Sequence, residues 1–351
     1  MKFALIADRI AFDSYYIKDN IAYDYNNNPY VYHHAYSSEC YIAMQNLPFI
    51  FEEGYFWNWI KQGTLPDVDL DLIFIAIEKN FEPDGSIRTK DICVKTLRKK
   101  YPNAKILGWI KEVYMSGVNR SLVDLSYYDY DDPRHHRRLE FLNECDAVIT
   151  SGITTFKNHP IFDNLKNNVN KNFYFIPQPV NVNYIFDKFY SNQKEESIFA
   201  YIPNPMHRRG KTYQFAEYIS NKYNIPIKFK PLQQNQKFDY MSQYDFAKLW
   251  SPSAFHFNLD PTDYHPGNQV MQVACTGTIN LGGNNESHHV LFPETATCNE
   301  KILEDKFIEL LNDKEKRFRT ISYAWEKVNE IHSFSNVKNI ITQIKKELDE
   351  N

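Results

Sequence analysis

The chain has 351 residues and a formal net charge of −4. That length fits two domains of ordinary size, and the 43% hydrophobic and 24% charged content excludes a largely disordered chain. The acidic balance excludes a surface that is basic throughout and grips nucleic acid everywhere. The five cysteines form no C-x-x-C pair, so we expect neither a zinc knuckle nor a disulfide framework, but reduced, cytosolic thiols.

Short apolar runs alternate with helix-like segments through the first half of the chain. The runs have the length and composition of buried parallel strands, and the helix candidates between them are Thr89–Tyr101 and Pro133–Asn143. This order predicts a doubly wound α/β sheet. The predicted strands are Phe3–Ala7, Leu72–Ile77, Ile106–Ile110, Ala147–Thr150 and Phe173–Ile176.

Two prolines, Pro177 and Pro179, interrupt this pattern and mark a predicted domain boundary. The sequence therefore predicts an N-terminal Rossmann-like domain at 1–178 and a C-terminal one at 179–335. A helix over 336–351 is expected to pack back on the N-terminal domain.

The second half repeats the alternation of strand and helix. Its predicted strands are Ile198–Ile202, Ile227–Phe229, Ala254–Phe257 and Thr278–Leu281. Its predicted helices are Thr212–Tyr223, Tyr244–Trp250 and Val270–Cys275, followed by a charged tail with a helical period from Glu300. The apolar positions of that tail include Ile302, Phe307 and Phe318.

A cluster of cations follows the predicted strand Ile198–Ile202. In an open parallel α/β sheet, ligands bind beyond the carboxyl ends of the strands, and arginine side chains at a helix start suit an anionic diphosphate. Glycine in such a turn lets the backbone approach a phosphate closely. A solvated basic turn is the alternative interpretation. The predicted phosphate-binding residues are His207, Arg208, Arg209, Gly210 and Lys211.

A polar loop opens the helix Val270–Cys275, and Gly277 ends that helix before the next strand. The N–H groups of the loop can bind a sugar or a phosphate, and the Gln272 side chain can reach ribose hydroxyls. Alternatively, Gln272 hydrogen-bonds inside the fold. The predicted ligand-binding residues of this segment are Asp263, His265, Gly267, Asn268, Gln269 and Gln272.

These two segments resemble the C-terminal domain of GT-B glycosyltransferases in order and spacing from Ser197 to Leu291. The resemblance implies two Rossmann-like domains that face each other across a cleft, the C-terminal one holding a nucleotide sugar, such as a UDP-sugar, as co-substrate. Many family members carry two glutamates around the loop, where this chain has Tyr264 and Gln272. This departure leaves the sugar, the stereochemical outcome and a need for a divalent metal open.

The segment Lys105–Glu112 and the chain length are also similar to phage DNA β-glucosyltransferases. That resemblance implies a carboxylate base at the mouth of the cleft, and it assigns Glu112 to take the proton of an acceptor hydroxyl. It implies a hydroxymethylated base in phage DNA as the acceptor. The alternatives are a saccharide acceptor in cell-surface glycan synthesis and, for Glu112, an exposed acid without a catalytic role.

Two basic clusters in the N-terminal half could attract a polyanionic acceptor such as DNA, or could be solvated helix faces. The first contains Arg98 and Lys100, and the second contains Arg134, Arg137 and Arg138.

We predict no metal site. The alternating acids Asp67, Asp69 and Asp71 imitate a metal-binding D-x-D motif, but they are more simply the residues that precede a strand. The adjacent histidines His288 and His289 would point in different directions on a helix and so make a poor pair of metal ligands.

Two other classes of function stay open. A nucleotide-sugar epimerase of similar shape would isomerise its sugar without an acceptor, and a silent binding protein would bind the donor without turnover. No apolar run is long enough for a membrane span, so we expect a cytoplasmic location, the host cytoplasm if a phage encodes the chain. The sequence makes no prediction of oligomeric state.

Overall fold

The chain forms two compact units. A computed structural model describes residues 1–7, 14–19, 21–24, 47–58, 64–76, 93–110, 133–151, 166–200, 210–229, 243–259 and 268–350. The first unit contains the described residues of Met1–Val31, Leu47–Ile176 and Lys338–Asn351, and the second contains those of Pro177–Val337.

The first unit is built on an eight-stranded sheet. Its strands are β1 (Lys2–Ala7), β2 (Tyr15–Lys18), β3 (Ile21–Asp24), β4 (Glu53–Asn58), β5 (Leu72–Ala76), β6 (Lys105–Ile110), β7 (Ala147–Ser151) and β8 (Phe173–Ile176). Their order is β3-β2-β4-β1-β5-β6-β7-β8. Strands β4, β1 and β5 to β8 are parallel, and β2 runs antiparallel to both β3 and β4 at one edge.

Apolar burial holds the first sheet together. The side chains of Phe3, Ile73 and Ile106 are fully buried on three neighbouring parallel strands, and each such side chain contributes roughly 1.5–3 kcal/mol. A short 3-10 helix, Leu47–Ile50, precedes β4. Two α-helices follow, α1 (Val94–Lys100) and α2 (Pro133–Glu144).

The second unit is built on a four-stranded, fully parallel sheet. Its strands are β9 (Glu195–Ala200), β10 (Ile227–Phe229), β11 (Ser253–Phe257) and β12 (Ile279–Leu281), in the order β10-β9-β11-β12. Its helices are α3 (Val182–Phe189), α4 (Lys211–Tyr223), α5 (Gln243–Trp250), α6 (Asn268–Thr276), α7 (Glu286–Leu291), α8 (Glu300–Asn312) and α9 (Lys314–His332).

Most helix starts in this unit have a side-chain cap. The side chains of Asn181, Asn285, Asn299 and Asp313 each accept a hydrogen bond from a backbone N–H in the first turn of α3, α7, α8 and α9. Such a cap satisfies a donor that the helix itself cannot pair. Gly210, which precedes α4, has no side chain that could do so.

The last helix, α10 (Phe334–Glu350), begins in the second unit and belongs to the first from Lys338 onward. Its apolar side chains Ile341 and Ile344 are buried. Glu347 on the same helix hydrogen-bonds the hydroxyl of Tyr174 on β8. The helix is therefore part of the core and surface of the first unit.

The predicted fold class, two Rossmann-like α/β units, is confirmed. The pattern missed β2, β3 and β4 at the antiparallel edge, because these segments lack long apolar runs. It also missed α3 and α7. In the tail, Ile302 and Phe318 were expected on the apolar face but are 47% and 58% exposed, because a helix on the surface buries only one stripe of side chains.

Several smaller predictions can also be compared with the structure. Strand β5 begins at Leu72, directly after Asp71, as the simpler interpretation of the alternating acids predicted. The carboxylate of Asp71 accepts a hydrogen bond from the Lys2 backbone N–H, and Asp67 pairs with Lys100 at 3.3 Å. In the basic cluster on α1, Arg98 pairs with Asp146 at 2.8 Å.

Candidate functional site

The carboxyl ends of the second sheet are held close together. The N–H of Asn258, just beyond β11, donates to the carbonyl of Leu281 at the end of β12 over 3.0 Å. The next residue, Gly282, has a φ of +99°, and a Cβ there would lie 2.7 Å from the carbonyl oxygen of Asn258. Only glycine allows both that backbone conformation and that approach. The carboxyl ends of β11 and β12 are therefore tightly packed against each other.

The start of α4 lies at this same edge. The N–H of Leu259, which follows β11, donates to the Thr212 hydroxyl in the first turn of α4 over 2.9 Å. Gly210 is the N-cap and Lys211 the first, exposed residue of the helix. No side chain of the described residues caps this helix, so its first N–H groups and the Lys211 ammonium are available to an anion. A diphosphate has the complementary charge.

Helix α6 connects the parallel strands β11 and β12, so its first turn lies near their carboxyl ends, and the helix is buried on every side. All side chains from Gln269 to Thr276 are buried, and the helix packs against α3, α5, α7 and α9. Gln269 and Gln272 lie one turn apart near its start. Neither amide has a hydrogen-bond partner among the described residues, and leaving a buried amide unsatisfied costs about 1–3 kcal/mol.

A hydrogen-bonded chain of polar side chains connects β11 and β12 near their carboxyl ends. Nδ1 of His256 on β11 lies 2.7 Å from Oδ1 of Asn280 on β12, and Nδ2 of Asn280 donates to the Gly282 carbonyl over 2.9 Å. Because Oδ1 can only accept, His256 carries its proton on Nδ1. Burial lowers the pKa of His256 to about 4, so the ring is neutral at physiological pH.

Two further histidines of this unit are buried. His288 on α7 is fully buried. Burial is the main cause that lowers its pKa to about 3, and the proximity of His256 adds to this effect. His332 at the end of α9 donates from Nδ1 to the Gln178 carbonyl over 2.9 Å. Burial lowers its pKa to about 4, although the nearby Glu286 acts in the opposite direction.

The structure places only part of the predicted site. Gly210, Lys211, Gln269 and Gln272 lie at the edge just described, and Asn268 begins α6. The remaining predicted residues lie outside the described parts of the chain; they are Glu112, His207, Arg208, Arg209, Asp263, His265 and Gly267. Trp109, in the segment that resembles phage DNA β-glucosyltransferases, is 3% exposed and packs edge-on against Phe74, so it belongs to the core.

Sequence reasoning missed three polar residues of the edge, His256, Asn280 and His288. The first two lie within apolar strands, where a single polar residue gives no periodic signal. His288 and His289 were expected to point apart, and the structure confirms this, since His288 is buried and His289 exposed. The difference in burial distinguishes His288 from His289, but it results from tertiary packing and could not be predicted from the sequence.

Within the described ranges, no group of three or more His, Cys, Asp or Glu side chains is arranged to hold a metal ion. Across the same residues, no helix is both long and apolar enough to cross a bilayer.

No protein-family model and no curated protein matches the sequence. Three solved structures with similar folds each bind UDP. An alpha-glucosyltransferase in complex with UDP and a 13-mer DNA containing an HMU base is 11% identical, with 99% of each chain covered and a TM-score of 0.58. Anabaena HepE in complex with UDP is 7% identical, with 99% of this chain and all of that one covered and a TM-score of 0.57.

The third structure is S. aureus TarM with UDP and alpha-GlcNAc-glycerol, at 12% identity and a TM-score of 0.53. This match covers 93% of the present chain and 61% of TarM. At such identities the likeness concerns the fold. Together with the two α/β units, it shows that the chain shares its fold, the GT-B fold, with these three structures, as the resemblance implied.

Proposed function

We propose that this chain is a glycosyltransferase that moves a sugar from a UDP-sugar to an acceptor hydroxyl. The observation that carries the proposal is the polar edge of the second unit. There an exposed cation and an uncapped helix start, at Lys211 and Gly210, lie at the same edge as the buried amides of Gln269 and Gln272. A nucleotide sugar offers a diphosphate to the first pair and hydroxyls to the second.

The proposed reaction follows from this division between a cationic part of the site and a part with neutral amides. The acceptor oxygen forms a bond to the anomeric carbon as the bond from that carbon to the β-phosphate oxygen breaks. Lys211 and the helix start neutralise the charge that develops on the departing UDP. Arg208 and Arg209 are proposed to share this task, and Glu112 is proposed to take the acceptor proton.

As the acceptor we propose a hydroxymethylated base in DNA, in a phage-infected cytoplasm. Support comes from the alpha-glucosyltransferase bound to DNA, whose chain is matched along 99% of its length. A saccharide acceptor is the second candidate, because TarM, bound to alpha-GlcNAc-glycerol, shares the fold over 93% of this chain. The match covers only 61% of TarM, so we rank the saccharide acceptor second.

A two-stage experiment tests the proposal. A thermal-shift screen of nucleotide sugars should show a stabilising UDP-sugar, because a ligand that binds only the folded state raises its stability. Mass spectrometry should then detect one added hexose on duplex DNA containing hydroxymethylated bases.

Three results would redirect or end the proposal. Transfer to small saccharides but not to DNA would favour the second candidate. Sugar isomerisation without an acceptor would favour an epimerase. Donor binding without any product, across both acceptor classes, would leave a binding protein and end the proposal of transferase activity.

A further inference from the structure

His288 is a fully enclosed polar side chain near the candidate site. Its ring is fully buried, and both ring nitrogens lack a hydrogen-bond partner among the described residues. The ring lies so close to Gly283, whose φ is +88°, that a Cβ at that position would overlap it. The chain has thus kept a glycine where any side chain would displace this imidazole.

The position of His288 connects it with the carboxyl edge of the second sheet. Helix α7 begins four residues after β12 leaves the sheet, and it packs against α6, which carries Gln269 and Gln272. His256, near the carboxyl end of β11, is also close enough to His288 to contribute to the low pKa of the His288 ring. His288 therefore joins the two glutamines as a third buried polar residue in this region.

All three side chains are neutral and offer both a donor and an acceptor. A neutral imidazole has one N–H and one lone pair, and a glutamine amide has an NH₂ and a carbonyl oxygen. The low pKa of His288, about 3, keeps it neutral throughout the physiological range. Buried polar atoms of this kind are normally hydrogen-bonded to protein, water or ligand.

This chemistry selects hydroxyl groups over phosphate. A hydroxyl both donates and accepts, so it can satisfy either nitrogen of a neutral imidazole, whereas an ionised diphosphate only accepts. Phosphate binding uses cations and N–H groups, which this unit supplies at Lys211 and the start of α4. The separation of cation and neutral side chains matches the separation of diphosphate and hydroxyls in a nucleotide sugar.

We propose that His288 determines specificity for the sugar nucleotide. Its imidazole hydrogen-bonds a hydroxyl of the bound nucleotide sugar, on its ribose or on its hexose. This proposal rests on the proposed function, because it takes the ligand of the carboxyl edge to be a nucleotide sugar. His288 extends the binding surface from α6 to α7, where no side chain was predicted to bind ligand.

Calorimetric titration with UDP-glucose, UDP and dUDP tests the assignment on the full chain. His288→Leu should bind UDP-glucose at least ~10-fold more weakly than the unaltered protein, on the scale of a hydrogen bond lost from a buried polar site. If the hydroxyl is on the hexose, the variant keeps its affinity for UDP. If it is the 2′-hydroxyl of the ribose, the variant also loses affinity for UDP and no longer distinguishes UDP from dUDP; if it is the 3′-hydroxyl, the variant loses affinity for UDP and dUDP alike.

His289→Leu is the matched control, since His289 is the exposed neighbour on the same helix. It should leave all three affinities unchanged. His288→Asn, which keeps a donor and an acceptor on a shorter side chain, provides a second variant should the leucine variant not fold.

Unchanged affinity for all three ligands in a folded His288 variant would overturn the proposal, and a lower melting temperature with that result would assign His288 a structural role. Equal loss in the His289 control would also overturn it. If the unaltered protein binds none of the ligands and no nucleotide sugar in the screen, the proposed function itself fails. The two failures are therefore distinguishable.

Discussion

The two units bury different kinds of side chain. In the first, β1, β5 and β6 bury only apolar side chains apart from a glycine, and the buried polar side chains among the described residues are Ser14, Asn58 and Thr150. In the second, the strands bury polar side chains, namely Ser197, Ser253, His256 and Asn280. The amides of Gln269 and Gln272 and the ring of His288 add to this polar interior.

From this difference we infer that the second unit is the one that binds a polar ligand. The neighbouring parallel strands β1, β5 and β6 of the first unit are filled by apolar side chains, as is usual for a parallel sheet covered on both faces. A buried polar group without a partner costs free energy, so a folded unit that contains several is expected to gain stability when a polar ligand binds. The predictions below test this contrast.

The largest expected effect is selective acid destabilisation of the second unit. Burial lowers the pKa values of His256, His288 and His332 from 6.5 to about 4, about 3 and about 4. Below pH 6.5 the unfolded chain therefore binds more protons. The stability from the neutral rings is fully present above pH 6.5 and is lost as the pH falls toward 4, by about 2 kcal/mol for each ring at about pH 5.

Hydrogen exchange followed by mass spectrometry, at about pH 7.5 and about pH 5 with correction for the intrinsic rate, measures this loss in each unit. Peptides of β11, β12 and α7 should lose protection first. Equal loss in peptides of β1 and β5 would contradict the contrast between the units.

Glu112→Gln separates chemistry from donor binding. If Glu112 is the base, the variant should transfer sugar ~10²-fold more slowly or worse, because the proton of the acceptor hydroxyl has no carboxylate to receive it. The affinity for UDP-glucose should not change. Glu140→Gln, which alters an exposed acid on α2, is the control. Full activity of the Glu112 variant would show that the base lies elsewhere.

Lys211→Ala tests the anion-binding half of the donor site. We expect a loss of about 1–3 kcal/mol in the free energy of UDP binding, the scale of a charge-assisted contact. Lys248→Ala removes an equally exposed lysine from the last turn of α5 and should have no effect. Titration calorimetry with UDP compares the two variants. The phosphate assignment fails if their affinities are the same.

Gln272→Met tests whether a buried amide lowers the stability of the protein and contributes to ligand binding. Removal of the buried amide should stabilise the ligand-free protein by up to about 1 kcal/mol and weaken UDP-glucose binding. Thr150→Val is the matched change in the first unit, where it replaces a buried hydroxyl that lacks a described partner. It should be neutral or slightly stabilising without an effect on the donor. Melting temperatures and titrations of both variants show whether the polar interior of the second unit serves ligand binding.

The sequence by itself determined the fold class, because runs such as Phe3–Ala7 and Leu72–Ala76 are apolar on both faces, and this occurs in parallel strands covered by helices. It also predicted Lys211, Gln269 and Gln272 as ligand-binding residues, because a parallel sheet binds ligands where a strand is followed by a polar turn and a helix, and their role in binding stays a prediction. Local patterns were sufficient for both.

Only the tertiary structure decided which polar residues are enclosed. The antiparallel pairing of β2 with β4 and the bond from His256 to Asn280 connect residues distant in the chain. The burial of His288 beside the exposed His289 likewise results from the packing of α7. Periodicity describes one segment at a time, whereas burial depends on the segments packed around it, and so the buried side chains of His256, Asn280 and His288 had no signal in the sequence alone.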